Sequence, residues 1–231
     1  MNRRHLLAAP ALLAGIPLPA RAADQPVVVE LFTSQSCSSC SAADALLAEL
    51  ARDRPDVLAL AFHVTYWDNA GWRDRFSLRE ATDRQRRYSS TLVNSRYRGQ
   101  LFTPQFVVQG QSDAVGSDRP AVLAAIDAAR ITPRVPLTVT PNTTSVTIHV
   151  GAGTGVATVW LIGYDPRHET EVRGGENSGR KLVDANVVRS ILQVGAWLGQ
   201  PLRVDEPKPD GERIAVLLQA AGGGILGAAK A

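Results

Sequence analysis

Two cysteines, Cys37 and Cys40, are the only ones in this chain of 231 residues, and two serines separate them. A Cys-x-x-Cys pair serves three kinds of chemistry: a structural clip, half of a metal site, or a couple that exchanges disulfides with a partner. As a clip it does little, since closing so short a loop contributes about 2 kcal/mol against about 3 for a 15-residue loop. A structural zinc ion takes four ligands. Beyond the first 22 residues the chain adds only His63, His149 and His168, none at zinc-ribbon spacing. His149 falls on the polar side of an alternating run and is expected to be solvated, and His63 to be a satisfied core residue. No cofactor is implied.

Position favours redox chemistry. Cys37 follows the β-rich run VVVELFTS and opens a helical pattern, so it stands where free N–H groups and the helix dipole stabilise a thiolate. Cys40, one turn further in, can attack a mixed disulfide formed at Cys37. Cys37 is therefore expected to be the more exposed and more acidic thiol. Glu30 is an acid inside an apolar run, and burying its charge is costly unless it is paired, protonated or functional.

The elements that must hold these residues alternate. From residue 24 to about 132, VVVELFTS, VLALAFHVTYW and TPQFVVQG read as strands. Between and after them, CSSCSAADALLAELARD, a run opening with Ser77 and Glu80 as a capping box, and RPAVLAAIDAAR read as helices. That is an α/β layer pattern. The arginines from Arg73 to Arg98, Arg84 among them, make the middle helix basic and are expected to form a solvated face. From residue 133 to 221 the helical period fades into short strand-like runs, which predicts a small β-rich domain. RGGENSGRK, residues 173 to 181, is a shaped loop with no phosphate-binding pattern. Residues 222–231 offer few anchoring groups and are expected to be a flexible tail.

Residues 1–22 have a basic head, a short apolar stretch broken by prolines, and an Ala20-Arg21-Ala22 cleavage pattern, which together predict a removable export signal. Arg3-Arg4 ahead of a weakly apolar core fits a twin-arginine signal, and ordinary secretory signals also begin with basic residues. The formal charge of +3 loses Arg3, Arg4 and Arg21 with this segment, leaving 22 basic against 22 acidic residues. No electrostatic footprint for nucleic acid remains. The mature chain, with no later membrane span, is expected in the periplasm or outside the cell.

VVVELFTSQSCSSC and LFTPQFVVQG resemble thioredoxin-like proteins, which carry a Thr followed by a cis-proline facing the cysteines. The resemblance implies that Thr103-Pro104 is this docking edge, with Thr103 binding substrate. It further implies that Glu30 exchanges protons with Cys40, although one extra residue lies between acid and cysteine. It also brings the loop holding Trp67 near the pair, as a wall of the substrate groove or as packing. Across most of the chain, ELFTSQSCSSC, FHVTYWDNAGWRDRFS, DRQRRYSSTLV and GGENSGRKL resemble the exported bacterial family known as domain of unknown function 1223. The reading is a thiol–disulfide oxidoreductase or redox-responsive protein acting on periplasmic protein or peptide thiols. Two alternatives stand beside it: a thioredoxin-like binding module with a stable disulfide, and a metal-handling protein using Cys37, Cys40 and His63.

Overall fold

The computed structural model describes residues 25–68 and 71–231, so the expected export signal lies outside the described residues. The first half runs β1 (Val27–Thr33), α1 (Ser41–Asp53), β2 (Val57–His63), α2 (Arg79–Thr91), β3 (Gln105–Val108), β4 (Ser112–Val115) and α3 (Arg119–Ala129). Seven strands follow: β5 (Leu137–Pro141), β6 (Ser145–Val150), β7 (Ala157–Glu171), β8 (Lys181–Trp197), β9 (Leu202–Pro207), β10 (Arg213–Ala220) and β11 (Ile225–Lys230). Among the described residues no helix is long and apolar enough to cross a membrane.

The chain is mixed α/β, with a large sheet in the order β11-β10-β7-β8-β2-β1-β3-β4 and a smaller one of β5-β6-β9. β1 is parallel to β2 and antiparallel to β3. Every β1 residue is buried, so both its faces are covered. Val27, Val29 and Leu31 meet α1 and α3 on one side, while Val28 and Phe32 meet α2 and the later strands on the other. The small sheet closes a third core against β7 and β10 around Trp197.

Three expectations change. The boundary near residue 133 falls inside a shared sheet, because β8 joins β2 at Val187 and Ala61, and only β5, β6 and β9 stand apart. The tail is a strand: β11 pairs antiparallel with β10, buries Ile225 and Ala228, and its Lys230 Nζ donates to the Pro55 and Val57 carbonyls. The capping box is not formed either. The N-cap of α2 is Leu78, and the Ser77 hydroxyl donates to Asp68 instead.

Arg84 is the fourth correction, for it is buried rather than solvated. Its guanidinium pairs with the Glu30 carboxylate and donates to the Gln219 side chain at 3.0 Å and the Tyr88 hydroxyl at 3.1 Å. Tyr88 donates to Glu30 at 2.6 Å, and burial pushes its phenol well above the ordinary range. This network ties α2 to β1 and β10. Removing one partner of a buried ion pair strands the other charge, so Glu30→Ala is expected to cost about 3–5 kcal/mol in urea denaturation. An unchanged urea midpoint would show that Arg84 finds another partner.

Candidate functional site

β1 ends at Thr33, and the next four residues turn the chain into a short 3-10 turn, Ser38–Cys40, that runs straight into α1. Cys37 keeps an extended backbone and Cys40 is the N-cap of α1. Their sulfurs form a disulfide. The Cys40 N–H donates to the Cys37 carbonyl at 3.2 Å, which closes the loop over the first turn.

The peptide bond Thr103–Pro104 is cis. The Thr103 hydroxyl donates to Cys37 Sγ at 3.4 Å and accepts from the Trp67 indole N–H at 2.8 Å. Cys37, Cys40, Thr103, Pro104 and Trp67 thus come together from β1, α1, the loop before β3 and the loop after β2. Gly116 lets Pro104 close on α1: a Cβ there would lie 2.5 Å from the Ala43 Cβ and 2.7 Å from the Pro104 Cβ.

Glu30 is not part of this site. Side chains alternate along a strand, so Glu30 shares the α2 side of the sheet with Val28 and Phe32, whereas the cysteines open α1 on the opposite side. Its hydrogen bonds all go to Arg84 and Tyr88. Asp44 occupies the side that Glu30 was expected to serve. It lies one helical turn beyond Cys40, on the same face of α1 with Cβ atoms about 5–6 Å apart, and accepts from the Thr33 hydroxyl at 2.7 Å. Enclosure pushes the Asp44 carboxyl up to about 7, with the neighbouring Asp184 adding to the shift and the Thr33 bond opposing it.

Beneath the disulfide loop lies a polar layer. Gln35 donates its backbone N–H to Asp74 at 2.8 Å and its amide to Thr170 at 3.0 Å and Asp184 at 2.8 Å. The indole of Trp72 donates to it at 3.3 Å. His63 Nδ1 lies 2.7 Å from the same Asp74 carboxylate. Burial alone would strip the imidazolium of its proton, but Asp74 outweighs that and raises His63 to about 9. For Asp74 burial likewise opposes charge, and His63 with the Gln35 and Phe76 N–H groups holds it below the usual carboxylate range.

Both cysteines are 1% exposed, so Cys37 is not the open thiol its place in the chain predicted. The cover comes from Thr103 on one side and the loop joining β7 to β8 on the other. From that loop Asn177 donates to the Gln35 carbonyl at 2.9 Å and the Cys37 carbonyl at 3.2 Å, and Glu176 accepts from Ser38. Asp74, Asp184, Glu176 and Asn177 carry no local sequence sign of this contact. Asp44 does, as an acid one turn after a cysteine.

Residues 28–219 match the model of a protein family of unknown function, DUF1223. The chain belongs to the DUF1223 family. Among solved structures it is similar to protein AGR_C_4864 from Agrobacterium tumefaciens, at 32% identity over 88% of this chain and 92% of that one, with a TM-score of 0.77. HBP35 of Porphyromonas gingivalis shares the fold at 13% identity, over 90% of this chain and 75% of that one, with a TM-score of 0.60. No curated protein matches the chain.

Two groups, the His63 imidazole and the Asp44 carboxyl, make stability depend on pH. The native state keeps a proton on His63 up to about pH 9 that the unfolded chain releases near 6.5. Stability is therefore fully present below 6.5 and fades as pH rises to about 9. Asp44, protonated in the fold up to about 7 but ionised near 3.8 in the unfolded chain, adds a similar decline across the lower window. Urea midpoints are expected to fall from pH 4 to 9 in wild type. His63→Gln flattens only the upper part of that curve, and the same slope in the variant would assign the proton elsewhere.

Proposed function

We propose that the protein is an exported thiol–disulfide oxidoreductase that exchanges disulfides with protein or peptide thiols in the bacterial periplasm or outside the cell. The elements from β1 to α3 serve as a thioredoxin-like unit whose sheet continues beyond β2 into β8. The observation that carries the reading is the Thr103 hydroxyl resting on Cys37 Sγ beside a cis-proline, with the disulfide at the start of α1. Backbone groups next to a reactive sulfur are what a peptide substrate needs in order to pair and react. The predicted signal in residues 1–22 supports the compartment, where disulfides persist.

In the reduced protein, the Cys37 thiolate attacks one sulfur of a partner disulfide. The partner's S–S bond breaks, its other sulfur leaves as a thiolate and takes a proton from water, and a mixed disulfide holds the partner at Cys37. Cys40 then gives its proton to Asp44 and attacks Cys37 Sγ, releasing the partner's second sulfur, which is protonated in turn. Two electrons have passed to the partner, whose two thiolates have taken one proton from water and one from Cys40 by way of Asp44, and the Cys37–Cys40 disulfide is the product. The reverse sequence oxidises a partner dithiol. Trp67 orients Thr103, and Thr103 orients the sulfur.

A second reading, a binding module with a permanent disulfide, is favoured by one observation: both cysteines are buried. A glutathione redox titration separates the two. The oxidoreductase exchanges with the series, and a potential below about −300 mV, typical of structural disulfides, would instead favour the binding module. Cys40→Ser is expected to accumulate a mixed disulfide with glutathione at Cys37. Asp44→Asn is expected to slow release of that mixed disulfide in the two-cysteine protein by about a hundredfold near neutral pH, the low end for a positioned acid–base group. Equal release rates would exclude Asp44 as the acceptor.

A further inference from the structure

The loop between β7 and β8 reaches the disulfide from 138 residues away and touches it through two side chains. Glu176 Oε2 accepts both the backbone N–H of Ser38, at 2.9 Å, and its hydroxyl, at 2.8 Å. Asn177, buried where Glu176 is exposed, donates to the carbonyls of Gln35 and Cys37 while its own oxygen accepts from Arg180 at 3.1 Å. The tip is closed on itself by Gly179 N–H to the Val172 carbonyl and Val172 N–H to the Arg180 carbonyl. It is also pressed onto the segment after β2. A Cβ on Gly174 would stand 2.3 Å from the Gly71 carbonyl oxygen, so only a glycine allows this approach.

The N–H that Glu176 takes has chemical weight. Ser38 directly follows Cys37 at the helical start, where unpaired N–H groups are the natural donors to a thiolate. With Glu176 docked, that donor is spent on a carboxylate and a negative charge stands beside the residue whose sulfur must become negative on reduction. The disulfide is neutral and loses nothing. Arg180, which donates to the Asn177 oxygen at 3.1 Å, stands on this loop with no carboxylate partner among the described residues; the other charges nearby are paired. Lys181 and Arg167 are paired with Glu169, Arg173 lies 3.9 Å from Glu171, and His63 is neutralised by Asp74 on the inner side.

The geometry points to Glu176 and Asn177 as positioning residues that set the reduction potential of the Cys37–Cys40 pair, Glu176 by its charge on the Ser38 N–H and Asn177 by anchoring it there. The assignment deepens the redox reading and depends on it for its biological meaning, although the potential can be measured whether or not the protein exchanges with a partner. Docking of Glu176 favours the disulfide and makes the reduced pair the stronger reductant. A partner that displaces the tip frees the Ser38 N–H and shifts the pair toward the thiolate at the moment of contact.

The test is a dithiothreitol redox titration of the full chain, which reduces even a stable disulfide, with wild type, Glu176→Gln and Asn177→Ala compared. Glutamine keeps an acceptor for Ser38 and removes only the charge. Its equilibrium is expected to move toward the reduced form by about two- to fivefold, the worth of one charge at a helix start, or about 10–20 mV for a two-electron couple. The alkylation midpoint of Cys37 is expected to fall in the same direction when Glu176→Gln is added to Cys40→Ser. Salt near 1 M, where the screening length is about 3 Å, should erase most of the difference. Asn177→Ala should reproduce the shift, and combining it with Glu176→Gln should add little. A Glu176→Gln potential equal to wild type overturns the assignment, as does a shift seen only in Asn177→Ala. Failure of wild type to exchange with glutathione, by contrast, would count against the oxidoreductase and leave this potential difference standing.

Discussion

Gln35 is where four stretches of the chain meet, and the geometry of the disulfide follows from that meeting. Its backbone is held by Asp74 and Asn177, its amide by Thr170 and Asp184, and its side-chain carbonyl by Trp72. The side chain is 1% exposed, so each of these bonds replaces one that water would otherwise make. Losing any partner would leave a buried amide or carboxylate unsatisfied, at about 1–3 kcal/mol. The loop between β1 and α1 is consequently as fixed as the strand before it. Cys37, two residues on, inherits that rigidity, and Thr103 and Ser38 find their partners at a set distance.

The same contacts explain why the large sheet is continuous. Thr170 and Asp184 lie on facing strands near the turn end of the hairpin made by β7 and β8, whose long ladder survives two shifts of register. Joining β8 to β2 carries this hairpin over the disulfide end of the molecule. The Glu30–Arg84 pair does comparable work on the other side of β1, fastening α2 with charges in addition to the apolar packing of Ala81 and Tyr88. One strand therefore carries an ionic lock on one face and the approach to the disulfide on the other.

What could be read from sequence was what is encoded locally. The run VVVELFTS, the helical spacing of Ala43, Leu46, Leu47 and Leu50, and the cysteines between them specify β1, the turn and α1 within twenty-odd residues, and TPQFVVQG specifies the strand after Pro104. β8 escaped notice because its bulges and the positive φ of Asn186 break the alternation that marks a strand. β11 escaped because its glycines and alanines carry little β signal and its order comes from pairing with β10. Glu30 was legible as an acid needing a partner, yet its partner Arg84 lies 54 residues away in a helix that reads as solvated. Asp44 carries only the faint sign of an acid one turn after Cys40, which an ordinary solvated helix acid carries as well.

The reach of the cover loop also orders events in time. Ribosomes make chains from the N-terminus, so Cys37 and Cys40 are finished long before Thr170, Asn177 and Asp184 exist. During that interval nothing from the hairpin stands over the pair, and the amide of Gln35 lacks two of its partners. A nascent chain thus carries both cysteines with nothing from the hairpin over them, and arrival of the hairpin covers them. Oxidants and reductants meet two different molecules, one before the last third of the polypeptide is added and one after.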